Sequence, residues 1–282
     1  MSYTSTNPLV FSKYTGAGND FILLDDRDEL FPIDDLSFIR SLCDRHKGVG
    51  ADGVILLQCS ELVGVSYRMR IFNADGSEAE MCGNGMRCLA RFISDLGEPR
   101  DLFSIEVMES SLTVSLSGDS VRVDMGAPRN VLWDQCLRLA DRDCEFHLLN
   151  TGVPHAVIFV DDVETVPLHL WGSALRYHEH FSPHGVNVDV AQVLENGELV
   201  MRTYERGVEG ETLACGTGAV AVALAASRLY SMACSIQVRV RSGDLLQVDW
   251  DDCIEHVWMT GPAYCVFRGE LAVPAKTTFS LL

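Results

Sequence analysis

Positive charge is scarce in this 282-residue chain: 22 lysines and arginines stand against 40 aspartates and glutamates, a net charge of −18. A field of that sign repels phosphate backbones and anionic headgroups, which argues against nucleic acid or an acidic membrane as partner. An anionic substrate would need its own local cations. Long apolar runs are missing too. Nothing approaches the ~18 uninterrupted residues of a membrane helix, and the stretch 1–9 is polar, without a secretory core. The expectation is a cytoplasmic protein that makes no use of a membrane. Metal-ligand spacing is absent as well. None of the ten cysteines stands in a Cys-x-x-Cys pair, so a structural zinc site has nothing to build on. A chain long enough to bury a large core has little need of disulfides, and most of its cysteines read as small apolar core residues.

Two stretches organise what is present. Cys82-Gly83-Asn84-Gly85 and Cys215-Gly216-Thr217-Gly218 each place a cysteine directly before Gly-x-Gly and a helix-forming run, at 89–96 and 219–229. A cysteine at a helix start lies among unsatisfied backbone N–H groups at the positive end of the macrodipole, so a lowered thiol pKa is expected. Glycines, having no Cβ, let the following N–H groups close on an anion. Each motif reads as a sulfur base beside a carboxylate cradle.

The flanking residues repeat in the same order. Thr15-Gly16 and Asp25-Asp26 recur as Thr151-Gly152 and Asp161-Asp162, Met69-Arg70 as Met201-Arg202, and Met125-Gly126-Ala127-Pro128 as Met259-Thr260-Gly261-Pro262. All these separations fall between 132 and 136 residues. Ordered matches at a near-constant separation indicate a duplicated unit. Strands are predicted at 9–11, 21–24, 54–57, 67–72, 104–108, 112–116 and 121–125, with a helix at 36–43 capped by Asp34 or Asp35. The plan restarts with strands at 146–149, 156–160 and 199–204, while 177–187 reads as irregular. The run 219–226 is apolar nearly all round, which predicts a helix buried inside a wrap of strands. Equivalent strands then deliver Asn73, and the pair Glu205 and Arg206, to the loops just before the two cysteines.

Other readings fit less of the chain. Gly216-x-Gly218 is not a dinucleotide-binding turn, because residues 235–239, about twenty positions on, hold no acid. A Cys/His hydrolase built on Cys215 and His155 leaves the matched Cys82 without a task. A non-catalytic amino-acid-binding protein needs no reactive sulfur at all. Asn19, Asn73 and Asn187 each suit turn chemistry on their own, Glu205 and Arg206 a solvated pair, and His155 a satisfied loop histidine. Their common placement in loops that converge on the cysteines favours a site.

Phe72-Asn73-Ala74-Asp75-Gly76-Ser77-Glu78 with Cys82-Gly83-Asn84-Gly85, and Glu205-Arg206-Gly207 with Glu211-Thr212-x-Ala214-Cys215-Gly216-Thr217-Gly218, resemble the diaminopimelate epimerase family. Gly18-Asn19-Asp20-Phe21 and Met259-Thr260-Gly261-Pro262-Ala263 fit the same pattern, so the resemblance spans nearly the whole chain. It implies pyridoxal-independent conversion of LL- to meso-diaminopimelate, for lysine and peptidoglycan synthesis. It also implies an α+β fold of two similar domains, each a curved mixed or antiparallel sheet around a central helix, with the site in the cleft between them. The last strand of such proteins returns to the first domain. The expected domains are therefore 1–127 plus 263–282, carrying Cys82, and 128–262, carrying Cys215.

Carried over position by position, Cys82 and Cys215 resemble the acid–base pair, and Gly83, Asn84, Gly216 and Thr217 the cradle of the reacting carboxylate. Asn19, Asn73, Asn187, Glu205 and Arg206 resemble substrate contacts, and His155 and Glu205 the groups that tune the thiols. The partner implied is a small amino acid, with no cofactor and no metal. Homodimers are common in such proteins. Two positions depart from the pattern: Gly53 replaces a glutamine carried by some members, and Val153 the asparagine that usually precedes Pro-His. Val153 offers no side-chain hydrogen bond, so a softened grip on the distal end, and slow racemisation of glutamate, are expected. Racemases of proline or hydroxyproline share the two-cysteine logic, but their substrates have no distal charged end for Glu205 and Arg206 to meet.

Overall fold

A computed structural model of the chain describes residues 8–79, 81–98, 101–108, 110–139 and 142–272. Residues 1–7 and 273–282 of the expected first domain lie outside them. Nine secondary-structure elements build the first half. A hairpin of β1 (Leu9–Gly16) and β2 (Asn19–Asp25) precedes helix α1 (Leu36–Cys43), β3 (Gly53–Cys59) and β4 (Tyr67–Asn73). Helix α2 (Gly83–Asp95) and strands β5 (Leu102–Val107), β6 (Ser110–Ser117) and β7 (Ser120–Asp124) complete it. Strand β8 (Arg129–Arg138) then leads into the second half. There β9 (Asp143–Asn150), β10 (Pro154–Phe159), α3 (Leu168–Arg176), β11 (Asn187–Val193) and β12 (Leu199–Glu205) follow in the same order. The short β13 (Gly210–Thr212) precedes α4 (Gly216–Tyr230), β14 (Ser235–Arg239), β15 (Leu245–Trp250), β16 (Val257–Pro262) and β17 (Tyr264–Leu271).

The hydrogen-bonding pattern repeats as the sequence does. In the first half β1–β2 is antiparallel, β2–β3 parallel, β3–β4 antiparallel, β4–β5 parallel, and β5–β6 and β6–β7 antiparallel. The second half gives the same series with β9–β10, β10–β11, β11–β12, β12–β14, β14–β15 and β15–β16. Strands β7 and β16 pair antiparallel and join the halves into one continuous sheet. Each half also lends a strand onward: β8 follows the first half but pairs with β9, and β17 follows the second but pairs with β1.

Both parallel crossovers in each half carry a helix, one outside the sheet and one inside. Successive side chains of a strand face opposite ways. Phe21, Leu23, Ile55 and Leu57 therefore pack inward with α2, while Ile22, Leu24, Val54 and Leu56 pack outward with α1. Burial on both faces explains why these strands read as unbroken apolar runs. In the second half Val188 and Val190 face the outer cluster with Leu168 and Leu175 of α3. Helices α2 and α4 share one inner core. Every residue of α4 from Gly216 to Ala226 is buried, and each fully buried Val or Leu contributes roughly 1.5–3 kcal/mol relative to exposure. Among the described residues no helix is long and apolar enough to cross a membrane.

Candidate active site

Helix α2 begins immediately after Cys82 and α4 immediately after Cys215, and both cysteines are N-caps in extended conformation. That geometry leaves each thiol against the first free N–H groups of its helix. The Gly85 N–H donates to Cys82 Sγ at 3.4 Å, while Cys215 Sγ lies 3.4 Å from Thr217 Oγ1. Cys82 is half-buried and Cys215 buried.

The two helix starts meet across the seam between the halves. The Asn84 amide donates to the Ala214 carbonyl at 3.3 Å, one residue before Cys215. A Cβ on Gly83 would stand 3.1 Å from Met259 Cε, and one on Gly216 only 2.8 Å from Met259 Sδ, so Met259 wedges against both cradles. The hairpin turns lean across reciprocally: Gly18 lies against Leu213 and Ser242, and Gly152 against Met81 and Thr217.

The expected contacts gather around this seam. Asn84 donates to Asn19 Oδ1, and Asn19 donates to Asp52 Oδ2 at 3.1 Å. Arg45 bridges Asp20 and Asp52, and Lys13 pairs with Asp20, which fixes the hairpin turn that carries Asn19. On the other side His155 is fully buried. Its Nδ1 lies 2.7 Å from Asp189 Oδ2 and its Nε2 2.9 Å from Thr217 Oγ1. Asn187 Oδ1 accepts the Arg206 N–H at 2.7 Å, and Asn187 Nδ2 lies 3.5 Å from His155 Nε2. The Arg206 guanidinium donates to the His184 carbonyl at 3.4 Å. Asn73 differs from the rest. It is exposed at the end of β4 and donates to Ser77 Oγ at 3.0 Å, inside its own turn.

The expected depression of the thiol pKa values is not what this arrangement gives. Burial pushes Cys82 up to about 11, against the pull of the Gly85 N–H, and the Glu205 charge adds to the rise. Burial and then Glu205 and Asp189 push Cys215 well up. Desolvation outweighs the helix end at both sulfurs. Burial raises the Glu205 carboxyl as well.

Two residues that sequence reasoning passed over belong to this cluster. Arg87, fully buried one turn into α2, donates to Asn84 Oδ1 at 2.9 Å and lies 3.4 Å from Met259 Sδ. Asp189, also fully buried, accepts from Thr203 Oγ1 at 2.7 Å besides meeting His155. An arginine inside Cys-Gly-Asn-Gly-Met-Arg-Cys and an aspartate among the valines of 186–190 were the available signals. Among the described residues no cluster of three His, Cys, Asp or Glu is placed to hold a metal.

Two thiols at the caps of duplicated helices, each beside a backbone cradle, bring acid–base groups and anion donors to one seam. Comparison with known proteins identifies the family. The profile of the diaminopimelate epimerase family matches residues 11–131 and 147–266, one stretch in each half. The diaminopimelate epimerase of Aquifex aeolicus is 38% identical over 93% of this chain and 97% of its own length. That of Nostoc punctiforme is 41% identical over 93% of this chain and 99% of its own. Among solved structures, a probable proline racemase from Agrobacterium radiobacter superposes with a TM-score of 0.73 at 14% identity, covering 95% of this chain and 94% of that one. A hydroxyproline epimerase from Agrobacterium vitis gives 0.70 at 16%, covering 95% and 94%. At those identities the two structures share the fold, while the profile and the sequence relatives go further: this chain belongs to the diaminopimelate epimerase family.

Proposed function

We propose that this chain epimerises LL-diaminopimelate to meso-diaminopimelate, using Cys82 and Cys215 as a thiolate–thiol pair and no cofactor. The observation that carries the reading is the meeting of two cysteine-capped helix starts, one from each half, joined through Asn84 and Ala214.

The α-proton of an amino acid is a very weak acid, so a thiolate removes it at a useful rate only if the resulting carbanion is stabilised. The N–H groups of the two helix starts supply fixed donors where enediolate charge develops on the α-carboxylate. Inversion requires a base on one face of the carbon and an acid on the other, so one sulfur is thiolate while its partner is thiol. After each turnover their roles are exchanged. Glu205, whose charge raises both thiols, and His155, tied to Cys215 through Thr217, set when each sulfur ionises. Asn19, Asn187, Glu205 and Arg206 are the groups we assign to substrate contact, with Asn73 at the rim. We read the domains as 1–127 plus 263–282 and 128–262, in line with the pairing of β17 to β1, and place the enzyme in the cytoplasm. A homodimer is the family expectation, to be read from its mass in solution.

The test is exchange of the α-proton in deuterated solvent with the stereoisomers of diaminopimelate, and with proline and hydroxyproline in parallel. Exchange with inversion on diaminopimelate is expected. Turnover of the cyclic amino acids alone would move the chain to the sister activity, and exchange on none would sink the reading.

A further inference from the structure

Four buried groups run in line from the second cysteine: Cys215 Sγ to Thr217 Oγ1 at 3.4 Å, Thr217 Oγ1 to His155 Nε2 at 2.9 Å, and His155 Nδ1 to Asp189 Oδ2 at 2.7 Å. Cys82 has no such line among the described residues; its thiol meets the Gly85 N–H. The directions of these bonds follow from their surroundings. The Arg206 N–H donates to Asn187 Oδ1, which turns the Asn187 amide nitrogen, a donor only, toward His155 Nε2. A ring nitrogen that faces an amide N–H and a hydroxyl is the bare one. The proton of the neutral ring therefore sits on Nδ1, where the Asp189 carboxylate receives it. Asp189 itself is pinned by the Thr203 hydroxyl at 2.7 Å and by the first turn of α4, since a Cβ on Gly218 would stand 2.5 Å from Asp189 Oδ1.

We infer that Asp189 is a positioning residue that locks His155 in the Nδ1–H tautomer and so makes Thr217 a proton relay between Cys215 and His155. The inference rests on the two-cysteine reading above and deepens it. In the relay step the Cys215 S–H bond breaks and its proton passes to Thr217 Oγ1. The hydroxyl's own proton moves to His155 Nε2, giving a thiolate and an imidazolium held by Asp189. The reverse step restores the thiol. Cys215 is then the sulfur that regains or sheds its proton internally when the pair is reset between turnovers. The charged and titratable groups around the line are Asp189 from β11, Glu205 at the end of β12 and Cys215 at the α4 cap, with Asp52 beyond Glu205. Asp189 is the one that touches the ring.

The test is Asp189→Asn, which keeps shape but offers an amide N–H where the carboxylate stood. Nitrogen NMR of the imidazoles, with His155 identified by its loss in His155→Gln, should show Nδ1 protonated in the parent and Nε2 protonated in the variant. Thiolate absorbance of Cys215, taken as the parent minus Cys215→Ala, should titrate about one pH unit higher, while that of Cys82 stays put. Turnover should fall on the order of a hundredfold, with KM changed by less than about threefold. Thr217→Val should reproduce the loss and Thr217→Ser restore it, so the relay stays testable if Asp189→Asn does not fold. An unchanged His155 tautomer together with an unmoved Cys215 titration overturns the inference. If both move as expected but the parent shows no turnover of diaminopimelate, the relay stands and the substrate reading falls.

Discussion

The Asn84 amide donates to the Ala214 carbonyl at 3.3 Å while its oxygen accepts from the fully buried Arg87 at 2.9 Å. One side chain thus ties the first cysteine motif to the second and satisfies a buried cation on the way. Asn84→Ala strands the Ala214 carbonyl and takes from Arg87 its shortest contact, leaving it the Pro262 and Gly83 carbonyls at 3.4 and 3.5 Å, and each unsatisfied buried polar group costs about 1–3 kcal/mol. The expected result is a melting temperature lower by roughly 5–10 °C and a raised KM, read by thermal unfolding and steady-state kinetics. A variant with unchanged melting temperature would show that the seam is held by other contacts.

Cys82→Ala and Cys215→Ala should each abolish epimerisation and leave circular dichroism unchanged, because each thiol is small and caps rather than fills the core. In deuterated solvent, early product should carry deuterium while recovered substrate stays largely unlabelled. Near-parental turnover in either variant, or rapid label in recovered substrate, would point to a single exchangeable base.

The equivalent glycines of the two motifs should differ in tolerance. A Cβ on Gly85 would meet Ile55 Cδ1 at 2.9 Å and Ile71 Cδ1 at 3.2 Å, both terminal methyls that can turn aside. On Gly218 it would meet Asp189 Oδ1 at 2.5 Å, a pinned carboxylate. Alanine gains up to about 1 kcal/mol in a helix interior, so Gly85→Ala should be near neutral. Gly218→Ala should lose about 1–3 kcal/mol through overpacking. Chemical denaturation of the pair measures the difference, and equal midpoints would be the contrary result.

Much of this was written in the chain. The repeated residues foretold repeated strand pairings, and the apolar wheel of 219–226 foretold the buried α4. The predicted helix at 36–43 is α1, capped by Asp35. Strand β8 was missed because its residues alternate only between exposed and half-buried, which leaves no apolar stripe to read. Helix α3 was missed behind its Pro167 cap, which makes no side-chain hydrogen bond. Arg87 and Asp189 lay out of reach for a further reason. Their meaning comes from partners 175 and 34 residues away, Pro262 and His155, that only the folded chain assembles.

Activity should rise with pH through the neutral and alkaline range, since the reaction needs a thiolate and burial holds Cys82 at about 11 and Cys215 well above its ordinary value. After burial, the Glu205 charge is a shared cause of both shifts. Removing that charge makes each thiol easier to ionise, so the sign is downward. Glu205→Gln should move the rising limb of kcat/KM to lower pH, at a lower maximum because the substrate contact we assign to Glu205 is lost. A limb that stays or moves upward would separate Glu205 from the thiols.

On the proposed reading, specificity turns on Arg206 and Val153. Arg202, on β12 just before Arg206, is held bidentate by Glu211 at 2.8 and 2.7 Å. Arg206 has no carboxylate within ion-pair distance among the described residues, and its guanidinium donates to the His184 carbonyl at 3.4 Å. On that reading its fork receives the distal carboxylate of the substrate. Arg206→Lys should therefore raise KM for diaminopimelate about tenfold, because an ammonium cannot reproduce a bidentate contact, while kcat changes little. On the same reading Val153 withholds a hydrogen bond from the distal ammonium, and such a bond to a charged group is worth about 1.5–3 kcal/mol, roughly ten- to a hundredfold in preference. A diacid lacking that ammonium loses correspondingly less here. L-glutamate, presenting its side-chain carboxylate toward Arg206, should thus be racemised slowly by the same two cysteines. Excess enzyme, chiral analysis of the product and the Cys82→Ala variant as control decide the matter. D-glutamate above that control, suppressed in Val153→Asn, is the expected outcome, and none above it would rule the glutamate activity out.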